Sequence, residues 1–168
     1  DARGRKQYRY HAKWRGVRDD AKFDRMVGFA ASLPRLRRTL ARDLARPGLP
    51  REKVLAVLVS ILDATRVRVG NIEYARDNKS YGLTTLKDQH AHIKGEQLRF
   101  VFTGKSGKSW RLTLKDRRVA NVVKAAQDLP GQRLFQYRDD DGAAQHVTST
   151  DINAYLRDIS GRDISAKD

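Results

Sequence analysis

The stretch FTGKSGKSW, residues 102–110, holds the tripeptide Gly-Lys-Ser twice, the way a nucleotide-phosphate loop ends. Such a loop needs a glycine five residues before the one that precedes its lysine. Those positions are Arg99 and Phe102. A phosphate loop also follows a strand and opens a helix, so that backbone N–H groups face the anion. Here residues 97–102 and 109–114 both read as strands, Arg111 and Thr113 alternating with Leu112 and Leu114. The Gly-bearing link between them is a hairpin signal. Lys105 therefore lies at or near a hairpin tip, with Lys108 as the alternative. On spacing alone Lys105 is a solvated turn lysine. His90 and His92 share one strand face, but two histidines without a carboxylate or cysteine partner make a poor metal site. They read as structural, and no metal ligand set is assigned.

The elements that must position these groups follow from periodicity. Phe23, Met26, Val27 and Ala30 recur at helical spacing in residues 19–32, after two aspartates that suit a helix N-terminus. Pro34 reads as the start of a second helix to about Ala45, with Leu33, Leu36, Leu40 and Leu44 as its apolar stripe and five arginines along it. Pro50 opens a third helix. Residues 53–65 of that helix are apolar nearly all round, so it belongs in the core. It leads into RVRVGN, residues 66–71, which places arginines at the end of a rigid element, as a functional site needs. Residues 90–114 read as a small antiparallel sheet. Residues 116–131 read as a helix stopped by Pro130-Gly131. An acidic surface turn follows within 134–147, and Thr148 begins a capping-box-like start to a last helix ended by Ser160-Gly161.

Composition bounds the partner. The chain has 168 residues, no cysteine, and 35 Lys and Arg against 20 Asp and Glu, for a net charge of +15. A basic excess of this size favours a polyanion, with nucleic acid first. Residues 1–15 interleave basic residues with Tyr8, Tyr10 and Trp14, a pattern that suits phosphate contact and base stacking. No run approaches the roughly 20 apolar residues of a membrane span, and no long helix has one basic and one apolar face. No membrane partner is expected.

Three stretches taken together closely resemble type IB DNA topoisomerases of the poxvirus and bacterial branch. They are RKQYRYH (5–11), TRVRVGNIEYARDNKSYGLTTLKDQHAHIKG (65–95) and FTGKSGKSW (102–110). LPGQRLFQY (129–137) and DISAKD (163–168) fit the same family. The resemblance implies an α+β, mainly helical fold: a helical catalytic core of the topoisomerase IB and tyrosine recombinase type, with a small three-stranded antiparallel sheet and hairpin. It implies transient single-strand cleavage of duplex DNA through a 3′-phosphotyrosyl bond, followed by religation, with no cofactor, ATP or metal. It makes Arg68 the arginine that grips the phosphate and Lys105 the lysine that protonates the leaving 5′-oxygen. Tyr74 would hydrogen-bond the target phosphate. Gln7, Tyr8 and Tyr10 would contact the major groove, and Asn71 and Lys87 would be further phosphate contacts. A monomeric, cytoplasmic, nucleoid-associated protein is implied.

The resemblance also implies that this chain is part of a longer protein. Residues 1–18 would be an arm or linker from a missing N-terminal clamp domain. Residues 19–168 would be a partial catalytic domain, with a helical core at 19–82, a small sheet at 83–115 and helices at 116–160. The second arginine, a histidine or asparagine, and the nucleophilic tyrosine would follow Asp168. None of the six tyrosines present stands in the nucleophile's context, so the chain is expected to bind DNA without cleaving it. Two alternatives stay open: a tyrosine recombinase-like catalytic core, and a non-catalytic basic DNA-binding module.

Overall fold

A computed structural model describes Lys6, Tyr8 and residues 12–166, with residues 12–25 and Tyr74 described by their backbone. The chain is mixed helix and sheet. Helix α1 (Ala12–Leu44) is followed by α2 (Arg51–Thr65) and the short α3 (Ile72–Asn78). Strands β1 (Ala91–Lys94), β2 (Gln97–Thr103) and β3 (Ser109–Lys115) form an antiparallel sheet in sequence order. Helix α4 (Arg117–Gln127), a two-stranded hairpin of β4 (Gln136–Arg138) and β5 (Ala144–His146), and α5 (Ser149–Ser160) complete it.

Helix α2 is the centre. Val54 to Val59 and Ile61 are all buried, as a helix apolar on every side requires. It packs against α1, α4, α5, β3 and β4. Pro50 caps its start with extended backbone, which a fixed proline φ suits. The inner face of the sheet presents buried Leu98, Phe100 and Phe102 to this core.

One expectation fails in the first forty-five residues. The two helices read on either side of Pro34 are one 33-residue helix with Pro34 inside it. It begins at Ala12, within the stretch read as an arm. An interior proline costs about 3 kcal/mol, because it removes an N–H and crowds the preceding turn. Leu36, Leu40 and Leu44 are buried on one stripe, each contributing about 1.5–3 kcal/mol, and that stripe outweighs the break. The apolar face expected earlier in the helix is not a core face: Met26 and Val27 are 51% and 71% exposed. Phe29 and Leu33 pack against the core instead.

The later caps match their sequence signals. Asp116 accepts the N–H groups of Arg118 at 2.8 Å and Val119 at 3.2 Å. Thr148 and Asp151 exchange hydrogen bonds at the start of α5, and Gly161 ends it with φ 67°. Helices α1 and α5 are clasped by a buried polar contact, where the Tyr155 hydroxyl donates to Asp43 Oδ2 at 2.7 Å. The other carboxylate oxygen, Oδ1, accepts from Arg42 Nε at 3.2 Å and Arg46 Nε at 3.3 Å.

Truncating that clasp leaves a buried carboxylate short of one donor. Tyr155→Phe is expected to lower stability by about 1.5–3 kcal/mol, read as a shift in urea midpoint at unchanged slope. Arg37→Ala removes only a half-exposed pair to Asp63 at 3.5 Å, and its expected cost stays below about 1 kcal/mol.

Candidate nucleic-acid and phosphoryl-transfer site

The candidate site is built on residues 81–85, which join two otherwise separate parts of the chain. On one side are Arg68 and Val69. The Arg68 carbonyl accepts the Leu83 N–H at 2.9 Å, and the Val69 carbonyl accepts the Thr84 N–H at 2.7 Å. The Thr84 hydroxyl donates to the same Val69 carbonyl at 3.0 Å. On the other side, the Tyr81 N–H donates to the Thr103 carbonyl at 2.8 Å, two residues before Lys105. Arg68 and the Lys105 hairpin therefore hang from one strap.

The approach of the strap to Arg68 is set by two glycines. A Cβ on Gly82 would lie 2.4 Å from the Gly70 Cα and 2.8 Å from the Arg68 carbonyl oxygen. Both are backbone atoms that cannot swing aside. Gly70 itself has φ +100°, which an L side chain rarely adopts. Thr85 holds Gly82 in place, its hydroxyl accepting the Gly82 N–H at 2.9 Å and donating to the Gly82 carbonyl at 3.0 Å.

Arg68 does not extend from a helix end, as the sequence suggested. Helix α2 stops one residue before Arg66, which takes left-handed backbone at φ 54° while its N–H bonds the Leu62 carbonyl at 2.8 Å. Beyond it Val67 is buried and Arg68 is exposed. The strap's hydrogen bonds, rather than helical continuity, aim the guanidinium.

The hairpin is held by rings. Tyr81 lies 4.6 Å from His90, His90 lies 6.4 Å from Phe102, and Phe102 stacks on Trp110 at 6.5 Å. The Trp110 indole covers Gly104, where a Cβ would stand 2.6 Å from the ring. The tip closes on itself, with the Gly104 N–H donating to the Lys108 carbonyl at 2.8 Å and Ser106 at φ 62°. Lys105 and Lys108 are both exposed.

The remaining sequence candidates fare differently. Asn71 caps α3, its Oδ1 accepting the Glu73 N–H at 2.8 Å. Lys87 Nζ donates to Gln132 Oε1 at 3.3 Å. Tyr8 is exposed, and Tyr74 stands on α3. Gln7 and Tyr10 lie outside the described residues. His90 and His92 do not share a strand face. His90 precedes the strand and is buried, and His92 is exposed. The structural reading of His90 has a concrete form, since its Nδ1 accepts the Lys87 N–H at 3.0 Å. Burial, with Lys87 and His92 nearby, pushes its pKa below the ordinary histidine value. Among the described residues no group of three His, Cys, Asp or Glu could hold a metal ion, and no helix is long and apolar enough to cross a membrane.

Gly82, Thr84, Thr85, His90 and Trp110 were not read as site-builders from sequence. Only the glycine in YGLTT offered a signal, and it did not say what approaches it.

Comparison with known proteins points one way. The family model described as eukaryotic DNA topoisomerase I, catalytic core, matches residues 11–168. A DNA topoisomerase 1B of Acanthamoeba polyphaga mimivirus is 33% identical over 172 residues, covering 100% of this chain and 51% of the viral protein. The DNA topoisomerase 1B of vaccinia virus strain Copenhagen is 27% identical over 108 residues, covering 62% of this chain and 33% of its own. The chain thus spans about half, or less, of the curated relatives it matches. Among solved structures, a XerH site-specific recombinase bound to difH substrate overlaps 75% of the chain at 14% identity and a TM-score of 0.46, too loose an overlap to argue from.

Two outcomes follow from the site's construction. Gly82→Ala forces backbone apart at Gly70, so it is expected to cost about 1–3 kcal/mol in denaturant unfolding. Protonating His90 turns its Nδ1 acceptor into a donor facing the Lys87 N–H. Its folded pKa is lowered, so its contribution is present above the unfolded value near 6.5 and is lost as pH falls below it. Melting temperature should drop between pH 7.5 and 5, less steeply in His90→Asn. His146, whose pKa burial also lowers, keeps some slope in that variant.

Proposed function

The chain belongs to the type IB DNA topoisomerase family, and we propose that it supplies the phosphate-gripping arginine and the proton-donating lysine of a phosphodiester transfer on duplex DNA. The carrying observation is the strap that ties Arg68 and the Lys105 hairpin to one backbone segment. In the reaction, a tyrosine oxygen attacks phosphorus, a P–O bond forms, and the bond to the 5′-oxygen breaks. The 5′-oxygen leaves with a proton as a free hydroxyl. Reversal by that hydroxyl reseals the strand after rotation, with no net change in covalent bonds.

Each step has a residue suited to it. Charge builds on the non-bridging oxygens in the transition state, where fixed donors are most effective. The Arg68 guanidinium can meet two oxygens with its planar fork. An alkoxide leaves poorly without a proton, and the Lys105 ammonium, on a closed tip, supplies it. The net +15 charge of the chain draws in the DNA, and its contacts are salt-sensitive. Arg68 and Lys105 both come from one chain, so bringing these two groups together needs no second copy, which supports a monomer.

Tyr155 and Tyr81 are both committed to packing the fold. Burial, with the Asp43 carboxylate beside it, pushes the Tyr155 phenol far above its ordinary pKa, the opposite of what an attacking oxygen needs. Tyr81 packs on His90. We assign the nucleophile to none of the six tyrosines in these 168 residues.

A suicide duplex incubated with the chain, without Mg²⁺ or ATP, and quenched in SDS tests the assignment. Salt-sensitive binding with no covalent adduct is expected; an adduct mapped to any of the six tyrosines would overturn it. In the whole protein that carries this chain, Arg68→Ala and Lys105→Ala should each slow single-turnover cleavage by about 10²–10⁴ with much smaller effects on duplex affinity. Equal losses in affinity and rate would make both residues binding groups only.

A further inference from the structure

The outer face of the three-stranded sheet has an unusual charge pattern. Strand β2 alternates exposed or half-buried positions with buried ones, and β3 alternates exposed with half-buried ones. The exposed positions carry Arg99 and Thr103 on β2, and Arg111, Thr113 and Lys115 on β3, beside Lys94 on β1. No Asp or Glu occupies any position of β1, β2 or β3. The carboxylates at this edge are both engaged, Glu96 in the β1–β2 turn with Lys115 at 2.9 Å and Asp116, just past β3, with Arg118 at 3.6 Å.

Register makes the pattern a line. Arg99 stands opposite Thr113 and Arg111 opposite Val101. The two arginines are therefore diagonal neighbours across β2 and β3, about 7–8 Å apart. From Arg99 to Thr103 is a further 13 Å or so along the strand, and Lys105 and Lys108 then occupy the tip. The line of cations runs from the sheet onto the hairpin that carries the proposed proton donor.

Some exposed arginines elsewhere have carboxylate partners, Arg37 with Asp63, Arg46 with Glu52, Arg76 with Asp77 and Arg118 with Asp116, while others such as Arg38 and Arg117 stand on the surface without one among the described residues. Arg99 and Arg111 have none among the described residues. A surface serving solubility mixes signs, and like charges brought together without counterions disfavour the fold. A polyanion relieves that cost. The face also lacks the apolar centre of a protein interface.

We propose that the outer face of β2 and β3 is a track for the phosphate backbone of duplex DNA, with Arg99 and Arg111 each contacting a phosphate flanking the one at Lys105. The proposal rests on the reading of Lys105 as facing a phosphodiester. Contacts of this kind position the duplex without reading its sequence.

The test is duplex binding by the chain across a salt series, using two 30-base-pair duplexes of unrelated sequence. Each lost phosphate contact lowers the slope of log K against log salt by about 0.9. Arg99→Ala with Arg111→Ala should lower it by roughly 1.8, equally for both duplexes. Arg99→Lys with Arg111→Lys should restore the slope, which also separates a lost contact from a misfolded sheet. Arg37→Ala with Arg118→Ala removes the same charge from paired positions and should leave the slope nearly unchanged. An unchanged slope in the sheet double-alanine variant overturns the track. So does an equal fall in the paired-arginine control, which would mean diffuse attraction. If the sheet variant leaves the slope unchanged while Lys105→Ala in the whole protein still slows single-turnover cleavage, the track fails and the reading of Lys105 stands. No binding by the unsubstituted chain overturns both.

Discussion

Everything proposed for this chain depends on a contact between two glycines. Where Gly82 crosses Gly70, backbone meets backbone with no room for a methyl group. That closeness lets residues 83 and 84 reach the carbonyls of Arg68 and Val69. A guanidinium on an extended segment would otherwise sweep a wide volume. Fixing its backbone from the side replaces the rigidity that a helix would have given, and positioning of this kind is where much of the advantage of a phosphoryl-transfer site originates. The same strap passes its order to the hairpin through Tyr81, so arginine and lysine share a common reference.

The aromatic chain from Tyr81 to Trp110 plays the matching part on the other side. A β-hairpin tip of five residues has little internal packing. Here the Cδ1–Nε1 edge of the indole lies against Gly104 and the ring stacks on Phe102, which anchors the base of the tip in the core. His90 joins the two systems. It is at once a ring in the chain and a hydrogen-bond acceptor for the turn that begins at Lys87, and the neutral imidazole is the form that can do both.

Local signals were legible in the sequence, and crossings were not. The strands, their alternation, the apolar α2, and the caps at Thr148 and Gly161 each depend on a few adjacent residues. The one long helix through Pro34 was missed because its continuity comes from Leu36, Leu40 and Leu44 packing on other elements. The role of Arg66 was missed because a left-handed arginine at a helix end has no sequence signature. Of the proposed site, Arg68 and Lys105 were singled out only through the motifs around them. What holds them was hidden, since a glycine in sequence does not show which backbone it lets approach. His90 was read as structural, but for a strand face that it does not occupy.

The clasp between Tyr155 and Asp43 joins residues separated by 112 positions, whereas the hairpin tip closes within five. Loop-closure entropy grows as the logarithm of length, so drawing the clasp shut costs the unfolded chain roughly 2.5 kcal/mol more than turning the tip. The proposed site residues lie between residues 66 and 110, tied by strap hydrogen bonds that span far fewer positions than the clasp. None of the strap's hydrogen bonds runs through the clasp, so the ends of α1 and α5 can fray without first breaking it.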